Sequence, residues 1–137
     1  MADLVNHPPH YTSHPSGTEC LDVVSLLGFC LGNALKYVWR FDQKGGVEDL
    51  KKANFYFCYF LKREWPVELV GSASRTLFVG LMLRVLVHET DILKRIVFAS
   101  VLAALNFEDP SLLTDAVEAL RERILLEDPT YVLPDEF

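Results

Sequence analysis

Cysteine is scarce and poorly placed for chemistry. The 137 residues contain three, Cys20, Cys30 and Cys58, and no two of them stand in the C-x-x-C spacing of a zinc or redox site. An odd thiol count without a secretory leader is expected in a reduced cytoplasm, and the opening MADLVNHPPHYTSHPSG has no apolar core of the signal-peptide kind. Long hydrophobic runs are also lacking. The most apolar stretch, Leu77 to Val87, is interrupted by Arg84, falls well short of the ~20 residues of a membrane span, and reads as a buried helix. There is no GxxxxGK[ST] loop, no GxGxxG, no HExxH, no GxSxG and no EF-hand loop. Nucleotide chemistry, if present, must therefore use a design without a Walker cradle. Positive charge is in deficit: 13 Lys/Arg against 19 Asp/Glu leave a formal net charge of -6. That excludes a general attraction for duplex phosphates. The deficit is uneven. Residues 1–70 carry seven Lys/Arg against eight Asp/Glu, and residues 71–137 carry six against eleven, so a local basic patch fits only the first half.

What is present reads as an all-α domain. Half of the residues are hydrophobic and 23% are charged, an ordinary globular balance for a chain long enough to bury a core. Pro8, Pro9 and Pro15 exclude a helix from residues 1–18, leaving an extended arm or ordered loop. Thr18 is placed to cap a short helix from Glu19 to Leu27, ended by Gly28. A helix over Leu31–Asp42 follows from the shared face of Leu31, Leu35, Val38 and Asp42. Gly45-Gly46 breaks it, and a helix over Val47–Glu64 carries the stripe Val47, Leu50, Asn54, Phe57 and Leu61 until Pro66. These two make an antiparallel hairpin. Helices at Ala73–His88, Asp91–Leu105 and Ser111–Leu126, the last capped by Ser111, form a C-terminal helical layer, and EDPTYVLPDEF reads as a loosely held tail. The whole, 1–137, is read as a single domain with a seam near Pro66–Ser72.

Three groups of residues could carry chemistry. In Asn6-His7-Pro8-Pro9-His10-Tyr11, two prolines stiffen the backbone between two histidines, and His14 follows. Histidine is the neutral-pH proton carrier and metal ligand. His7, His10, His14 and Cys20 could in number supply a tetrahedral zinc set, but no zinc-like spacing appears, and no bound metal is expected. An arm docked by hydrogen bonds and a ligand-binding arm both remain open. In the second group, Gly32, Lys36 and Arg40 recur every four residues, so they share a helical face, which Lys44 extends if the helix reaches it. A glycine near a helix start, followed by Lys and Arg, suits an anion. The alternative is a solvated face paired to Asp42, Glu48 or Asp49. In the third group, Glu48-Asp49-Leu50-Lys51-Lys52-Ala53, acids suit the first helical turn and Glu48 can pair with Lys52, a complete structural account beside any functional role for Lys51 or Lys52. The run Phe55, Tyr56, Phe57, Tyr59 and Phe60 surrounds its helix almost completely. That points to burial by the domain or by another subunit, with base stacking by a tyrosine as the alternative.

Taken together, Val5-Asn6-His7-Pro8-Pro9-His10-Tyr11, Glu19-Cys20-Leu21-Asp22-Val23, Phe29 through Gly32-Asn33-Ala34-Leu35-Lys36-Tyr37-Val38-Trp39-Arg40, Lys44, and Glu48-Asp49-Leu50-Lys51-Lys52-Ala53 resemble the SaV-like domain family of tailed phages. The resemblance covers residues 5–63. Residues 64–137 form a C-terminal helical extension outside it. Relatives include a phage nucleoside monophosphate kinase that lacks a Walker loop, so the resemblance implies nucleotide handling, with dTMP or dGMP as substrate, ATP as phosphate donor and no bound cofactor. It implies a nucleotide site of Asn6, His7, His10, Tyr11, Gly32, Asn33, Lys36, Tyr37, Arg40 and Lys44, in which His10, Lys36 and Arg40 are the catalytic candidates. The other reading is a non-catalytic phage protein that binds a nucleotide, a nucleotide signal or a host protein to counter host defence. Either way the expectation is a cytoplasmic homo-oligomer, acting in the host cytoplasm if phage-encoded, with no membrane partner and no general nucleic-acid binding.

Overall fold

A computed structural model of the chain describes residues 5–134. Among them the architecture is all-α. The helices are α1 (Pro9–Thr12), α2 (Cys20–Val24), α3 (Phe29–Arg40), α4 (Val47–Lys62), α5 (Arg75–His88), α6 (Ile92–Asn106) and α7 (Thr114–Glu127), with a 3-10 turn at Pro110–Leu113 before the last. The only β-type pairing among the described residues is an isolated bridge between Leu27 and Leu69.

The hairpin of α3 and α4 is the centre. α3 buries Leu31, Ala34, Leu35 and Val38, and α4 buries Leu50, Ala53, Phe57 and Phe60, so each stripe follows helical spacing. The turn between them closes through Gly46, whose N–H donates to the Phe41 carbonyl at 2.7 Å. Its φ of +58° is one that side chains other than glycine rarely adopt. α7 packs on α4, α6 packs on α3 and α7, and α5 lies against α6 and α2. Phe57, Phe98, Leu113, Leu120 and Ile124 meet in a fully buried centre. Side-chain caps start the outer helices: Ser74 accepts from the Leu77 N–H, and Asp91 accepts from the Lys94 N–H.

Several expected boundaries move. The arm is not wholly extended: Pro9 begins the one-turn α1. A proline in the first turn loses no helical hydrogen bond, and its fixed φ is already helical. α2 is capped by Glu19 rather than Thr18, through a reciprocal pairing with Asp22, and it ends at Val24. Beyond it, the Leu26 carbonyl instead accepts the Val70 N–H at 2.9 Å. The last helix is preceded by the 3-10 turn, which Asp109 caps through the Ser111 N–H. The Leu77–Val87 run is buried on one side only: Phe78, Met82 and Val85 are inside, while Leu77, Leu83 and Val87 face out. The chain after α7 is held at first, because Lys51 bonds Asp128 at 2.9 Å and stands 4.5 Å from the Tyr131 ring centroid. Positions 135–137 of the expected tail lie outside the described residues.

Candidate functional site

The arm is fastened at three points, two on the hairpin and one at the end of α5. Tyr11 accepts a hydrogen bond from Arg40 Nη1 at 3.0 Å, Ser13 bonds Gln43 in the turn, and His14 reaches Glu89 at the end of α5. The last contact is buried: the side chains of His14 and Glu89 are 5% and 8% exposed at 3.0 Å. Burial alone would push the Glu89 carboxyl up. The bonds from His14 and from the Asp91 N–H outweigh it and hold the carboxyl below its ordinary range. His14 is thus a structural residue of the arm.

Around Tyr37, on the outer face of the hairpin, three cations gather. Lys36 Nζ lies 4.4 Å from the ring centroid, the Arg40 guanidinium carbon 4.8 Å and Lys52 Nζ 5.3 Å. Cations are drawn to the ring face by its quadrupole. Tyr56 of α4 stacks on Tyr37 with centroids 6.1 Å apart. Asn33 links to the same surface by donating to the Phe29 carbonyl and accepting from Lys36 Nζ at 3.0 Å. His10, with its ring 4.2 Å from that of Tyr11, adjoins the cluster. Burial, and then the positive charges of Lys44 and Arg40, push its pKa below the ordinary 6.5, against a smaller opposing pull from Asp49.

The structure therefore brings together His10, Tyr11, Asn33, Lys36, Tyr37 and Arg40, with Lys44 near His10. It does not bring in the whole expected set. Asn6 is exposed at the start of the arm, and His7, also exposed, lies 3.4 Å from Glu19. Gly32 is buried rather than open to a ligand. Its N–H is taken by the Gly28 carbonyl at 2.8 Å, and a Cβ there would stand 3.0 Å from the Val24 carbonyl oxygen. The space at Gly32 is used by the close approach of the chain end of α2. Lys44 does not extend the helical row, because α3 ends at Arg40. Arg40 is bound to Asp49, with Nε to Oδ2 at 3.0 Å and Nη2 to Oδ1 at 3.2 Å.

Two members were not singled out by spacing within one helix. Lys52 joins from α4 instead of pairing with Glu48, which bonds Lys51 at 2.7 Å. Tyr56 joins one turn further on. The signal available in the sequence was that Lys52 and Tyr56 are four residues apart, hence on one face. The aromatic run does not surround a buried helix: Phe57 and Phe60 are inside, whereas Phe55 is 53% exposed and Tyr59 37%. Among the described residues, no three His, Cys, Asp or Glu side chains gather as a metal ion would require. Burial pushes the Cys20 thiol up to about 12, which keeps it protonated. No helix of the described residues is long and apolar enough to cross a membrane.

A family model described as a protein of unknown function, DUF3310, matches residues 5–57. That stretch carries the arm, α2, α3 and α4 as far as Phe57, and so every member of the Tyr37 cluster. No curated protein and no solved structure matches the chain.

Proposed function

We propose that the chain binds a nucleoside monophosphate, with the phosphate held by Lys36 and Lys52 across the face of Tyr37. The observation that supports this reading is the convergence of three cationic heads within 5.3 Å of one ring centroid, in a protein of net charge -6. Asp49 is committed to Arg40 and lies 3.9 Å from Lys52. Lys36 meets the neutral Asn33 side chain. Lysine presents a mobile point charge that can follow a phosphate. Arg40, held by Asp49 and Tyr11, positions the cluster and adds its field. His10 and Lys44 stand at the rim, where a base or sugar would lie. The SaV-like resemblance of residues 5–63, with its kinase relative, supports nucleotides over other anions.

The test is calorimetric titration with dTMP and dGMP at low salt. The contact of a charged donor with phosphate contributes about 1.5 kcal/mol, so Lys36→Gln and Lys52→Gln should each weaken binding roughly tenfold. Absence of binding to the unmodified protein at millimolar nucleotide would end the nucleotide reading. Formation of diphosphate from monophosphate and ATP would replace the binder with the kinase.

A further inference from the structure

The surface around Tyr37 continues past Tyr56 into a groove. Phe29 meets Tyr56 edge-on at 5.8 Å, and the rings run on through Phe55, 5.5 Å from Tyr56, and Tyr59, 6.1 Å from Phe55, to Trp65, 6.1 Å from Tyr59. These rings line one side of a cavity of about 820 Å³, and the segment from Pro66 to Gly71 lines the other. The Leu27–Leu69 bridge ties that segment to the start of α3. Phe29 is 75% exposed and Trp65 43%, so the lining is available in the free chain.

Three features select the occupant. The cavity is concave and falls within the range of about 300–1,000 Å³ in which small molecules bind, so it suits a molecule better than a flat bilayer. Its lining is mostly apolar, with Glu68 and the Tyr56 and Tyr59 side chains as its few polar members. A base or sugar carries more polar groups than these few partners can meet, and burying the rest is costly. Charge then orients the ligand. Lys36 and Lys52 do not line the cavity, but Tyr56 at its edge stacks on Tyr37 at 6.1 Å, and the Tyr37 ring has Lys36 Nζ at 4.4 Å and Lys52 Nζ at 5.3 Å. Glu68 belongs to the opposite wall and is the only acidic lining residue among those described.

We propose that this groove binds a small amphiphilic anion. Its apolar aryl or acyl body lies among Phe29, Phe55, Tyr59 and Trp65, and its acidic head reaches Lys52 and Lys36. The inference rests on the nucleotide reading only in sharing these two lysines, and the apolar half stands independently of it.

Two matched fluorescent probes test it: 8-anilinonaphthalene-1-sulfonate and N-phenyl-1-naphthylamine, which carry the same rings with and without the acidic group. The sulfonate should bind at one per chain, roughly tenfold more tightly than the neutral probe. Trp65→Ala and Phe55→Ala, both at exposed rings, should each weaken both probes several-fold and leave dTMP titrations unchanged. Lys52→Gln should weaken the sulfonate and leave the neutral probe as it was. Equal affinity for the two probes, or unchanged sulfonate binding in both aromatic variants, would overturn the proposal. So would a dimer in light scattering that Phe55→Glu splits, because a second copy would then fill the groove. Sulfonate binding as described, without any dTMP binding, supports the groove and removes the nucleotide reading alone.

Discussion

Arg40 and Asp49 close the hairpin as a two-pronged ion pair, Nε to Oδ2 at 3.0 Å and Nη2 to Oδ1 at 3.2 Å. The Asp49 side chain is 1% exposed and that of Arg40 13%, and Asp49 Oδ2 also accepts the Gly45 N–H at 3.0 Å. Burial alone would make the Arg40 proton easier to lose. Bonds to Asp49 and Tyr11 outweigh it and raise the pKa, so Arg40 stays charged. One contact thus fixes the end of α3, the turn and the first turn of α4, and it sets the height of Arg40 against Tyr37.

Removing one partner of this pair strands the other. Asp49→Ala and Arg40→Ala are each expected to cost about 3–5 kcal/mol of stability. The double variant should cost less than the sum of the two, because partners in direct contact are coupled. Urea unfolding of the three variants measures this. An unchanged midpoint in Asp49→Ala would mean that the pair contributes nothing. Arg40→Lys should rescue poorly, since an ammonium cannot span both carboxylate oxygens.

His10 ties anion binding to pH. Its free-state pKa lies below 6.5, pushed down by burial and by Lys44 and Arg40. An anion bound at Lys36 and Lys52 adds negative charge beside the cluster that His10 adjoins and raises that pKa, so binding takes up a proton and the anion binds more tightly as pH falls. Sulfate is the appropriate probe because its own charge is constant here. Its affinity should rise as pH drops below about 7 and level off once His10 is protonated in the free protein as well. For folding the sign is the opposite: the neutral ring is favoured in the native state, so His10 contributes stability above the unfolded pKa that is lost as pH falls through the window beneath 6.5. In His10→Ala the sulfate affinity should be flat over this range. An equally steep profile in that variant would assign the titration to another group.

Two glycines should respond in opposite directions to alanine. At Gly80, within α5, a Cβ meets nothing within 4 Å, so Gly80→Ala should stabilise by about 0.5–1 kcal/mol through helix propensity and lost chain entropy. At Gly45 a Cβ would stand 2.2 Å from Asp49 Cγ, a buried atom that cannot withdraw without breaking the bond to Arg40. Gly45→Ala should therefore destabilise by more than about 1 kcal/mol. Thermal melts of the two variants that moved in the same direction would contradict this packing.

The sequence by itself determined the helices from α3 onward and the breaks between them. Leu31, Leu35 and Val38 recur with the helical period, and so do Leu50, Asn54 and Phe57, while Gly45-Gly46, Pro66 and Asp109-Pro110 stop the pattern. These signals are local, because helical hydrogen bonds and side-chain faces link residues three or four apart. The shared face of Lys36 and Arg40 was legible for the same reason, whereas Lys44 lies past the end of α3 and the prolines of the arm argued against the one-turn α1 that forms there. Tertiary structure alone decided the partners. Asp42, Glu48 and Asp49 were all within sequence reach of Arg40. Asp42 is taken by Lys94, 52 residues away, and Glu48 by Lys51, which leaves Asp49 for Arg40. The approach of α2 made Gly32 a packing residue, and the register of α4 against α3 set Lys52 beside Tyr37 and left Phe55 and Tyr59 facing outward. Such choices depend on competition among charges and on the relative height of packed helices, quantities that spacing along one helix does not contain.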